Sequence, residues 1–140
     1  MIYTKKIMGL DVGDKRIGIA FSDALRITAQ GYETYSRQSE SEDVAHIKEL
    51  FLQQNAESIV CGLPKNMNGT IGPQAEKVRA FAALLEEATG TEIIFSDERL
   101  TTVFAERALL EADVSRKKRR KVIDKLAAVT ILQGYLDSLK

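Results

Sequence analysis

The chain has 140 residues, 44% hydrophobic and 29% charged, which is enough for one globular domain with a sizeable core, and a single domain over residues 1–140 is expected. Twenty basic and twenty acidic side chains give a formal net charge of zero, so any affinity for a polyanion must come from local patches rather than from a global field. No stretch approaches the ~20 apolar residues of a membrane span; Asp11 also interrupts the short apolar run behind the basic start before it could serve as a signal segment, so the chain is expected in the cytoplasm.

Ile7 to Val12 is an apolar run of strand formers, and Arg16 to Phe21 follows with Ile17, Ile19 and Phe21 alternating. Gly13-Asp14 between them is turn chemistry, which predicts a hairpin, and Gln30 to Tyr35 supplies a third strand beside it. Ser39 and Glu42 have the spacing of a capping box ahead of Val44, Ile47, Leu50 and Phe51, so a helix is predicted to about Gln54. Ser58 to Leu63, bounded by Pro64, reads as a buried strand. Pro73 suits a first helical position, Val78, Phe81, Ala82 and Leu85 form an apolar stripe, and Gly90 can end that helix. Glu92 to Phe95 is a further short strand. Helices are predicted from Thr102 to Glu111 and, after a polar break, to about Leu139. Three strands, then helix, strand, helix, strand and terminal helices imply an α/β fold. Its expected mixed five-stranded sheet has an antiparallel meander at one side and parallel crossovers at the other.

Cys61 lies in the apolar run and reads as a small buried side chain. His46, among Glu42, Asp43, Lys48 and Glu49, reads as a solvated helix residue. One histidine and one cysteine far apart exclude the usual zinc ligand sets, so any bound metal would need oxygen ligands, which favours Mg2+ or Mn2+.

Three segments could supply such oxygens. Asp11 sits mid-strand between Gly9 and Gly13, where a carboxylate is costly and the glycines leave room for a cation or phosphate; a turn-forming Asp at the hairpin is the alternative. Asp97, Glu98, Arg99, Thr101 and Thr102 follow the strand ending at Phe95, at a strand C-terminus where open α/β sheets place ligands; helix capping by the threonines is compatible with this. Asp124 precedes Ala127, Ala128 and Ile131 at helical spacing, so its row continues into apolar territory; an N-cap or an ion pair is the alternative. Arg116 to Lys121 are six consecutive cations. At a helix start they oppose the macrodipole and invite a phosphate backbone, although charge runs are ordinarily solvated faces. The loop after Pro64 adds Lys65, Asn66 and Thr70 as phosphate donors, or is simply a connection.

Gly9-Leu10-Asp11-Val12-Gly13 with Arg16-Ile17-Gly18, Gly62-Leu63-Pro64, Asp97 to Thr102, and Asp124 to Ala128 together resemble the YqgF family, also called RuvX, over nearly the whole chain. The resemblance implies an RNase H-like fold and a nuclease of structured nucleic acid, with Asp11, Glu98 and Asp124 as catalytic metal ligands. Asp97 adjoins the second of these. Arg16, Lys65, Asn66, Arg99, Thr101, Thr102, Lys117, Lys118, Arg119 and Arg120 would contact nucleic acid. Two divalent ions ~3.5–4 Å apart would straddle the scissile phosphate. Maturation of the pre-16S rRNA 5′ end is the implied role, with a ribosomal precursor particle as partner and a monomer or homodimer as the acting species. The alternatives are Holliday junction resolution in DNA recombination and a non-catalytic RNA-binding assembly factor. A phosphotransferase of the sugar-kinase type is a further rival, because Asp11-Val12-Gly13 followed by Gly18 resembles its first phosphate loop.

Overall fold

The computed structural model describes residues 5–64, 72–97 and 116–139. Strands β1 (Lys6–Val12), β2 (Arg16–Ser22) and β3 (Ala29–Ser36) form the expected meander. Helix α1 (Glu40–Gln53), strand β4 (Ala56–Leu63), helix α2 (Pro73–Thr89), strand β5 (Ile93–Asp97) and helix α3 (Arg116–Ser138) follow. The sheet order is β3-β2-β1-β4-β5, antiparallel through β1 and parallel from β1 to β4 and β5. The first strand in sequence is therefore the central one. Strand β5 runs two residues beyond the expected Phe95, because Ser96 and Asp97 pair with Gly62 and Leu63. The helix expected over Thr102 to Glu111 lies outside the described residues.

The period of two divides β1 between two layers. Met8, Leu10 and Val12 are buried in a large aliphatic core with Ile47, Phe51, Phe81 and Leu85 of α1 and α2. Ile7, with Ala20 of β2 and Val60 of β4, packs instead on Ala128, Leu132 and Leu136 of α3. Each large apolar side chain fully removed from water contributes roughly 1.5–3 kcal/mol, so both layers are firmly held.

Local signals set the helix ends. The Ser39 hydroxyl accepts from the Glu42 amide at 3.2 Å, while the Glu42 carboxylate accepts from that hydroxyl at 3.1 Å rather than from the Ser39 amide. Pro73 opens α2, and Gly90 closes it in the left-handed region at φ 69°, its amide donating to the Glu86 carbonyl. Among the described residues no helix is long and apolar enough to cross a membrane.

Helix α3 runs antiparallel to β1. Gln133 caps the start of β3, accepting from the Ala29 amide at 2.9 Å and donating to the Ile27 carbonyl at 3.0 Å, whereas Gly31 lies beneath Lys125 and Val129. Advancing along β3 thus means moving back along α3. Because β1 and β3 both run antiparallel to β2, the same holds for β1.

Candidate functional site

Asp11 occupies β1 opposite Gly18 and is half-buried. It lies in the strand and not in the turn, which is formed by residues 13–15, so the turn-forming alternative falls. It belongs to the odd-numbered positions of β1, the face covered by α3. Gly9 shows how near that helix comes: a Cβ there would stand 2.7 Å from Leu132 Cβ and 3.2 Å from the Ala128 carbonyl oxygen.

The step from Gly9 to Asp11 is about 7 Å along a strand, and one helical turn back along α3 is about 6 Å. Gly9 faces the turn between Ala128 and Leu132, so Asp11 falls beneath the preceding turn, from residue 124 to residue 128. Asp124 begins that turn, on the row that continues through the buried Ala128 and Leu132. It lies inside the helix, eight positions after Arg116, which removes the N-cap alternative; its side chain is not among those described.

The parallel strands bring three C-terminal ends to the same edge. Leu10 pairs with Cys61, Cys61 with Phe95, and Leu63 with Asp97. Ile94 packs against the α3 cluster, and alternation puts Ser96 on the same face. Glu98, Arg99, Thr101, Thr102, Lys65 and Asn66 lie outside the described residues. Arg16 opens β2 across the turn from Asp11. Lys117, Lys118, Arg119 and Arg120 occupy the first turns of α3, with Arg120 one turn ahead of Asp124 on its row.

The donor chemistry on this face is that of oxygen. Cys61 is buried in the α1 and α2 core, and His46 lies on α1, so neither the one thiol nor the one imidazole of the chain stands beside Asp11. Among the described residues no cluster of three potential metal ligands occurs. His46 is not the solvated residue expected: Nε2 lies 2.6 Å from Glu33 Oε2, and the ring stacks on Tyr35 at 4.2 Å.

A buried polar network escaped the sequence reading. Asp43, in the first turn of α1, is 1% exposed. It accepts from Arg37 Nε at 2.9 Å, from the Gln38 amide at 2.9 Å and from the Tyr35 hydroxyl. Burial opposes its ionisation, but those three donors together outweigh it and hold the carboxyl below its usual 3.8. Burial and the Asp43 carboxylate push the Tyr35 hydroxyl up. Arg37 also donates through Nη1 to the Gly13 carbonyl at 2.9 Å and lies 4.7 Å above the centre of the Phe81 ring. An Asp in a first helical turn has an ordinary role as a partner of the helix dipole, so its sequence position does not single it out.

The relatives and structural neighbours agree with this architecture. A Clostridioides difficile (strain 630) protein named "Putative pre-16S rRNA nuclease" is 59% identical over 132 residues, 94% of each chain. A Clostridium botulinum (strain Hall) protein of the same name is 58% identical over 134 residues, covering 96% of this chain and 98% of its own. The fowlpox virus resolvase solved with Holliday junction DNA aligns with a TM-score of 0.59 at 13% identity, over 96% of this chain and 98% of that one. Thermus thermophilus RuvC with its junction substrate gives 0.57 at 16%, over 96% and 95%. At these identities the likeness is one of fold, and the mixed sheet with its helices is RNase H-like. The family model described as RuvX, Holliday junction resolvase, matches residues 5–138, and the chain belongs to that family.

Proposed function

We propose that the protein is a divalent-metal-dependent nuclease that hydrolyses phosphodiester bonds of structured RNA in the cytoplasm, in 5′-end maturation of pre-16S rRNA. The observation that carries this reading is Asp11, on the central strand beneath the α3 turn that begins at Asp124. Asp11, Glu98 and Asp124 would hold the cations. The resemblance favours Glu98 over the adjacent Asp97 as the second of them.

These residues suit Mg2+ or Mn2+, since all three are carboxylates and the one thiol and one imidazole of the chain lie elsewhere. Bound there, two such ions supply an activated water and stabilise the leaving oxygen. The chain's own part is to fix the carboxylates on rigid elements and bring the phosphate backbone to them. Arg120, one turn before Asp124, and the cations around it suit that second task. Arg16, Lys65, Asn66, Arg99, Thr101 and Thr102 complete the proposed contacts. The names of the relatives favour precursor rRNA as substrate, in the setting of a ribosomal precursor particle.

The deciding experiment incubates the protein in Mn2+ with precursor 16S rRNA and, separately, with a four-way DNA junction, and maps the product ends. Discrete cleavage of the RNA supports the reading. Cleavage confined to the junction transfers the activity to DNA recombination, and tight RNA binding without cleavage of either substrate would leave an assembly factor with an inactive acid cluster.

A further inference from the structure

We propose that Arg37 is a positioning residue for the Asp11 centre, holding the β1–β2 turn from the opposite face of the sheet through a fork anchored on Asp43. This rests on the reading of Asp11 as a metal ligand.

The turn that follows Asp11 is held at Gly13 and Lys15. The Gly13 amide donates to the Arg16 carbonyl at 2.9 Å. Arg37, immediately after β3, then grips both sides of it: its backbone amide donates to the Lys15 carbonyl at 2.9 Å, and Nη1 donates to the Gly13 carbonyl at 2.9 Å. The guanidinium is fixed in turn. Nε is spent on Asp43, and the Phe81 ring lies below its plane. Asp43 is immobilised by the Gln38 amide and the Tyr35 hydroxyl.

Arg37 therefore joins the β1–β2 turn to the end of β3, to α1 and to α2, and the Gly13 it holds is two residues from Asp11. A buried ion pair is a poor device for stability alone, since apolar replacements of equal volume often do as well or better. Its geometric value is different. The planar fork addresses two acceptors in fixed directions, which a lysine ammonium does not reproduce. Partners behind a ligand commonly alter metal affinity or activity about 10–100-fold when removed.

The test uses the full chain with Arg37→Lys, Asp43→Asn and Tyr35→Phe, beside Asp11→Asn. Mn2+ binding without RNA is followed by the electron paramagnetic resonance signal of free Mn2+. Amide hydrogen exchange at residues 12–15 is measured without metal, and cleavage of a structured RNA is measured across a Mn2+ titration. For Arg37→Lys we expect at least tenfold weaker Mn2+ binding, faster exchange at Gly13, and a matching rise in the Mn2+ needed for half-maximal cleavage, with thermal unfolding still cooperative. Tyr35→Phe, which removes a single hydroxyl and keeps the packing, should weaken binding about twofold to threefold, so the question stays open to refutation even where Arg37→Lys fails to fold. Should Asp11→Asn lose Mn2+ while the folded Arg37→Lys, Asp43→Asn and Tyr35→Phe proteins bind it like the wild type, the positioning role is wrong and the metal reading stands. Should Asp11→Asn itself bind and cut normally, both are wrong.

Discussion

Gly9→Ala is the sharpest probe of how α3 meets the sheet. The added Cβ would stand 2.7 Å from Leu132 Cβ and 3.2 Å from the Ala128 carbonyl oxygen. An ordinary carbon–carbon contact needs about 3.5–4.0 Å, so helix and strand must separate by about 1 Å. The obstacles are a backbone oxygen and the root of a side chain, which no rotamer change removes. Overpacking of this kind costs about 1–3 kcal/mol, equivalent to roughly 3–12 °C in Tm at this chain length. Gly31→Ala is the matched control under the same helix: its Cβ would meet Lys125 Cβ and Val129 Cγ2 at 3.6 Å, ordinary contact. Gly31→Ala should be neutral, or stabilising by up to about 1 kcal/mol through the unfolded chain. Urea unfolding of both variants gives the stabilities, and single-turnover RNA cleavage in Mn2+, well below either Tm, gives the functional effect. Displacing α3 shifts Asp124 relative to Asp11, so Gly9→Ala should cut at least tenfold more slowly and Gly31→Ala within about twofold of wild type. Equal stabilities for the two variants would refute the close approach; a destabilised Gly9→Ala that cuts normally would refute the placement of the site beneath α3.

Asp11→Asn, Glu98→Gln and Asp124→Asn should each abolish cleavage while retaining fold and RNA affinity, and excess EDTA should do the same to the wild type; normal cutting by Glu98→Gln with a dead Asp97→Asn would reassign the second ligand. Replacing Lys117, Lys118, Arg119 and Arg120 together by Ala should flatten the salt dependence of RNA binding. Four successive helical positions spread over about 300°, so only about half of these cations can face one backbone, and the log-log slope should fall by about two rather than four; an unchanged slope returns the run to solvent. Asp43→Asn should cost about 3 kcal/mol or more near neutral pH, because Arg37 is left without its buried partner. The Asp43 carboxyl is depressed in the folded chain, so its contribution is complete above the unfolded value near 3.8 and is lost as pH falls through the lower folded value. Stability curves of wild type and Asp43→Asn should accordingly converge below about pH 4, and a constant gap down to pH 2 would count against the network.

The fold was legible because its signals are local and periodic. Alternation in β1 and β2, the Ser39 cap, Pro73 and Gly90 each act within a few residues, and the structure places their elements within about two residues of expectation. The glycines on either side marked Asp11, and the small residues after Asp124 marked the helix row that packs on β1. What stayed hidden depends on pairing across the sheet. Tyr35, Arg37 and Asp43 belong to a strand, a connection and a helix, and each alone has an ordinary explanation, so nothing in their spacing announces that Asp43 gathers Tyr35 and Arg37 or that Arg37 reaches Gly13. His46 was misread for the same reason, since Glu33 and Tyr35 reach it only once β3 has paired with β2.

The two layers thus divide the work around β1. Its even positions are bulky and lock it to α1 and α2, so that the strand is rigid. Its odd positions read Ile7, Gly9, Asp11, falling in apolar bulk until α3 nearly touches the backbone at Gly9. A short carboxylate can share a cation with a helix only where helix and strand come this close, and a larger residue at position 9 would hold them apart. Asp11 lies one step beyond that closest contact, toward the strand ends and the cation-rich start of α3. If the proposed site lies beneath α3, the glycine that looks like a packing detail sets its geometry, and the loss of activity expected for Gly9→Ala is the test of it.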